Sequence, residues 1–151
     1  MQTIDEMIKA LSQATGIACR PASAEDLDTL EELGAPEMVV EFYARYEPAQ
    51  ALEYGPCICP IREIEEMCDG DGVESLANYF GLVPFGNLID GDLLCFNPEL
   101  VIDDDWPAVV RVSHEQVFPD SSELDFRRGT TLYKTSLVAV LDEMVSKLQK
   151  K

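Results

Sequence analysis

The chain has 151 residues, of which 46% are hydrophobic and 26% charged, a size and balance that suit one folded domain with its own core and exclude a disordered chain. Eleven Lys and Arg against 29 Asp and Glu leave a formal charge of -18, which repels phosphate backbones and anionic membranes and makes nucleic acid a poor ligand. No apolar run reaches the roughly 18 residues of a membrane span, residues 1–6 lack the basic flank and apolar core of a secretory signal, and five scattered cysteines suit reduced thiols, so a soluble cytoplasmic protein is expected.

Ile4, Met7, Ile8 and Leu11 recur at helical spacing and predict a first amphipathic helix ending near Gly16. Ser23 is placed to cap a second helix, with Leu27, Leu30 and Leu33 as its apolar stripe and Gly34 as its stop. Pro36 fits the first turn of a third, whose bulky face is Val39, Phe42, Tyr43 and Tyr46, before Pro48 interrupts. Cys57-Ile58-Cys59 reads as a short strand, and Ile61, Ile64 and Met67 as one side of a helical turn. Asp69-Gly70-Asp71-Gly72 is a break before another short helix carrying Val73, Leu76, Ala77 and Phe80.

Residues 82–96 hold two apolar runs of strand length around a turn-rich connection, which predicts a β-hairpin at the centre of a sheet. Gly86 and Gly91 are expected to supply backbone freedom there, while Asp90 and Asp92 bond nearby amides and hold the bend. Residues 97–107 read as an acidic loop, 108–112 as a strand, and 118–129 as a surface loop with Leu124 and Phe126 tucked inward. Leu137, Leu141, Met144 and Leu148 step through a C-terminal amphipathic helix capped by Thr135 or Ser136. Helices at both ends and strands between them predict an α+β fold, a mainly antiparallel sheet covered on one face by N- and C-terminal helices.

Leu82-Val83-Pro84-Phe85-Gly86, followed by Asp90-Gly91-Asp92 and Leu94-Cys95-Phe96, resembles the central segment of the SMI1/KNR4 (SUKH) superfamily, where an apolar-Gly then Gly-Asp pattern joins two strands. Four further segments are similar to that family in the same order: Leu33-Gly34-Ala35-Pro36 leading into Val40-Glu41-Phe42-Tyr43, then Ile61-Arg62-Glu63-Ile64, Pro107 through Glu115, and Thr135-Ser136-Leu137. The resemblance covers roughly residue 30 to the end as a series of short motifs. It implies a sheet packed by helices from both ends of one domain. It also implies a binding protein without catalytic residues: many bacterial members are immunity proteins that neutralise a cognate toxin by binding it, and fungal members are regulators connected with cell-wall synthesis.

The candidate sites each have a plain structural alternative. Cys57 and Cys59 could share a soft ion, but a zinc site needs about four ligands, and buried thiols are the simpler expectation, with no metal and no cofactor. His114, the single histidine, suits a structural hydrogen bond at a strand end, because no GxSxG or HExxH pattern accompanies it. Asp69 and Asp71, and the run Asp103-Asp104-Asp105, do not complete the spacing of a calcium loop and fit better as partner-binding surface. Trp106 beside them would be either an anchor for a basic partner or a core side chain. The expected function is therefore protein binding, with a basic toxin domain, for instance a nuclease, as the partner that the acidic surface would meet. A regulatory adaptor is the alternative, and a small hydrolase using paired carboxylates is a third reading.

Overall fold

The computed structural model describes residues 2–103 and 105–149. Helix α1 (Ile4–Thr15) starts in a reciprocal cap: Thr3 accepts from the Glu6 N–H and Glu6 reaches back to the Thr3 N–H, while Gly16, at φ 75°, ends it. After the short strand β1 (Cys19–Arg20), α2 (Ala24–Glu32) begins at the predicted Ser23 cap and α3 (Glu37–Tyr46) follows Pro36. Strand β2 (Glu47–Pro48) pairs with β1, and β3 (Leu52–Glu53) with β4 (Cys57–Ile58). Helix α4 (Ile61–Asp69) lacks a side-chain cap of its own; the Glu47 carboxylate, 14 residues upstream, accepts the Ile61 N–H at 2.8 Å instead.

Helix α5 (Val73–Tyr79) leads into a four-stranded antiparallel sheet in the order β5 (Val83–Asn87), β6 (Leu93–Asp103), β7 (Trp106–Val112) and β8 (Thr130–Lys134). Helix α6 (Glu123–Arg128) lies between β7 and β8, and α7 (Leu137–Gln149) closes the chain with Ser136 accepting the Ala139 N–H. The α+β class and the antiparallel sheet are as the sequence predicts. No helix among the described residues is long and apolar enough to cross a membrane.

Alternation along the strands sends side chains to two cores. Phe85, Leu94, Phe96 and Val109 face the larger one, built with Leu11 of α1, Tyr43 of α3 and Leu141 and Met144 of α7. Phe85 and Phe96 stack there at 4.1 Å between ring centroids, and both are fully buried. Leu93, Cys95, Val110 and Val112 face the smaller core, closed by Ala77 of α5 and Phe126 of α6. Helices therefore cover both faces rather than the single face expected, because every second residue of β6 and β7 is also apolar.

Two further expectations are corrected, and one strand is added. The acidic loop 97–107 is instead an arm, since β6 runs to Asp103 and β7 starts at Trp106, with Leu100-Val101-Ile102 supplying strand-forming residues. Residues 118–129 contain α6, whose Ser122 caps it; Phe126 is buried as expected, but Leu124 is exposed. Strand β8 was not foreseen, although Thr130-Thr131-Leu132-Tyr133 has the composition of one.

Candidate functional site

The hairpin of β5 and β6 brings Asp90 and Asp92 to one end of the sheet, and β7 brings Arg111 and His114 to meet them. Asp90 forms the expected turn, its Oδ1 accepting the Asp92 N–H at 3.0 Å, and Gly91 sits at φ 99°, where a Cβ would be strained. Gly86 works differently from the expectation: a Cβ built there would stand 1.7 Å from the Cys57 carbonyl oxygen, so glycine permits β4 to pack directly onto β5.

Asp92 also departs from its predicted part in the local turn. Its carboxylate, only 6% exposed as a residue, receives four donors from far downstream. His114 gives its backbone N–H at 3.0 Å and Nδ1 at 2.6 Å to Oδ1, while Arg111 gives Nε at 2.9 Å and Nη2 at 2.5 Å to Oδ2. Burial by itself would raise this carboxyl, but the bonds from His114 and Arg111 prevail and hold it down at about 2. The bond to Asp92 lifts His114 above its ordinary value. Arg111 also reaches Asp90 Oδ2 at 2.8 Å and lies over the Tyr133 ring, 6.0 Å from its centroid. Tyr133 in turn donates to Glu143 on α7, which Lys134 and Lys147 flank at 3.5 and 3.4 Å.

Asp90, Asp92 and His114 thus bring three possible ligand atoms within 4.8 Å of one another. Arg111 pairs with both carboxylates, so the cluster acts as an ionic clasp between the hairpin and β7. The sequence signal missed here is Arg111 itself, a lone charge inside Ala108-Val109-Val110-Arg111-Val112.

The residues expected to bind a partner lie on two separate elements. Asp69 and Asp71 are exposed at the connection between α4 and α5, whereas Asp103 and Asp105 are exposed at the tip of the arm formed by β6 and β7. Asp104 lies outside the described residues. Trp106 does not serve as an exposed anchor: it is 8% exposed and packed into the larger core, where it also walls a cleft of about 390 Å³ with Ile4, Met38 and Phe42.

Three exposed apolar side chains lie a few residues before it on β6. Leu100, Val101 and Ile102 are 38%, 52% and 51% exposed, an uncommon concentration for a soluble surface. Beyond Phe96, β6 has β7 on one side, with register shifts around Val101, while β5 ends its pairing at Phe96. Among the described residues, no strand pairs with the outer edge of β6 beyond Phe96.

A second cleft, about 450 Å³, gathers Asp26, Glu47 and Glu63 with Arg20 and Arg62. Burial pushes Glu47 up from the ordinary carboxylate range, and its Oε2 is engaged by the Ile61 N–H. Cys57 and Cys59 are both buried, as expected, with their sulfurs 4.0 Å apart. Comparison with protein-family models and with curated proteins finds no match to this chain.

Proposed function

We propose that the chain is a binding protein of SUKH type without catalytic activity, an immunity protein that neutralises a cognate toxin domain by covering it. The observation that carries this reading is the arm formed by β6 and β7. It combines an open strand edge, three exposed apolar side chains and the exposed carboxylates of Glu99, Asp103 and Asp105. An extended segment of a partner can add to such an edge through its backbone, bury its apolar residues on Leu100, Val101 and Ile102, and place Lys or Arg beside the acids. The net charge of -18 steers a basic partner toward the surface and speeds encounter.

The Asp92 cluster supports binding over catalysis. An Asp held at about 2 stays ionised near neutrality and cannot serve as a general acid, and both its oxygens are already taken by Arg111 and by Nδ1 of His114. A carboxylate-based hydrolase would have to use the cleft of Asp26, Glu47 and Glu63, where Glu47 is engaged in capping α4. A regulatory adaptor would use the same arm on a partner that is neither toxic nor basic.

The test is a pull-down at low ionic strength with the toxin domain encoded beside this chain, followed by growth rescue on coexpression. Capture and rescue are expected. Failure of both removes the immunity reading, and capture of a non-toxic partner in their place selects the adaptor.

A further inference from the structure

We propose that Cys57 and Cys59 form an oxidative modification site, a dithiol that hydrogen peroxide converts into an intramolecular disulfide and that a small thiol reduces again. The two sulfurs lie 4.0 Å apart, and the surrounding backbone holds them there. Residues two apart on an extended segment point to the same side, with Cα atoms about 6.6 Å apart, inside the range that disulfides span. The Cys59 N–H donates to the Phe85 carbonyl at 2.8 Å, the Tyr43 hydroxyl donates to the Cys59 carbonyl at 2.7 Å, and the Cys57 carbonyl rests against Gly86. Closing the bond from 4.0 Å asks for rotation of both side chains and a local bend that draws their Cβ atoms to the roughly 3.5–4.5 Å that disulfides span.

The surroundings assign the two sulfurs different parts. The Cys59 thiol and the Asn87 backbone N–H both favour a thiolate at Cys57, which lies below its ordinary value, while its neighbour Cys57 and burial push Cys59 up. The Glu63 side chain lies beside Cys59 and pushes its thiol further up.

In the first step the Cys57 thiolate attacks one peroxide oxygen. The O–O bond breaks, Cys57 becomes a sulfenic acid, and the departing hydroxide leaves as water with the proton that Cys57 shed on becoming a thiolate. In the second, the Cys59 sulfur attacks the Cys57 sulfur, the S–S bond forms and the S–O bond breaks. The hydroxide released leaves as water with the proton that Cys59 gave up. The two cysteines lose two electrons, and the peroxide, which gains them, becomes two waters. Peroxide is small enough for thiols that are 4% and 7% exposed.

Cys19 and Cys68 are the more exposed thiols, so they give the sharpest contrast. The folded protein is treated with hydrogen peroxide, quenched, unfolded, alkylated and mapped by mass spectrometry. The expected product has lost about 2 Da, carries a Cys57–Cys59 linkage and recovers on treatment with dithiothreitol, while Cys19, Cys68 and Cys95 remain alkylatable. With dimedone present, Cys59→Ser traps Cys57 as the adduct and Cys57→Ser yields none at Cys59. Oxidation beginning at Cys19 or Cys68, a linkage of Cys68 with Cys95, or a Cys57–Cys59 bond that forms only after unfolding in urea would overturn the proposal. The wild-type map needs no variant to fold, and it is independent of any partner.

Discussion

The imidazole Nδ1 of His114 stands 2.6 Å from Oδ1 of Asp92, across 22 residues of sequence. This contact joins the end of β7 to the hairpin between β5 and β6. Because the chain has a single histidine, its titration can be followed without assignment. The ring should titrate above 6.5 in the native protein and fall back toward or below that value in Asp92→Asn. An unchanged NMR titration curve in the variant would show that Asp92 is not what holds the proton.

The same pair sets a pH window for stability. His114 is raised in the folded state, so its contribution is complete below the unfolded value of 6.5 and is lost as pH climbs through the folded one. Asp92 is depressed to about 2, so its contribution is present above the unfolded value of 3.8 and is lost as pH falls through about 2. The midpoint of urea unfolding, attributed to these two groups, should be highest between about pH 4 and 6.5 and decline on both sides. Asp92→Asn should flatten both limbs.

Arg111 is half-exposed, yet it holds a carboxylate that is not. Arg111→Met leaves Asp92 with the His114 donors alone and is expected to cost about 2 kcal/mol, less than a fully buried pair because solvent reaches the guanidinium. Denaturant unfolding measures it, and a cost near zero would make the clasp ornamental to stability.

Gly86→Ala should be among the most damaging single substitutions, since its Cβ meets the Cys57 carbonyl, which is backbone and cannot rotate away. A loss of about 3 kcal/mol or more is expected. Gly91→Ala, strained only by its φ of 99°, should cost about 1 kcal/mol. Thermal unfolding of the two variants distinguishes close approach from backbone freedom.

Replacing Asp103, Asp104 and Asp105 with Asn is expected to slow association with a basic partner and flatten its dependence on salt, leaving dissociation little changed. Changing Leu100, Val101 and Ile102 to Ser should do the reverse, speeding dissociation while costing no more than about 0.5 kcal/mol of stability per substitution, because these side chains are exposed. Stopped-flow kinetics separates the two effects.

Much of the fold was legible because helices announce themselves locally. The stripe of Leu137, Leu141 and Met144 and the caps at Ser23 and Ser136 lie within a few residues of what they control. The hairpin at residues 82–96 was legible from its two apolar runs and its turn residues. The arm reads as a loop in sequence because its acidic residues outweigh Leu100-Val101-Ile102 in composition. The clasp was hidden for a different reason: nothing near Asp92 in sequence says that its partners are Arg111 and His114. Those partners become neighbours only through the strand register that sets Leu94 opposite Arg111. Trp106 shows the same limit, since its place in the core depends on α1 and α3 closing over it.

For the proposed immunity function, the most direct measurement is a titration of a candidate toxin domain's activity with this purified chain. The account predicts that activity disappears at one chain per toxin domain, and that a variant carrying Ser at 100–102 with Asn at 103–105 loses most of that inhibition while remaining folded. Toxin activity that persists at a large excess of the chain, or inhibition that the arm variant retains in full, would contradict it.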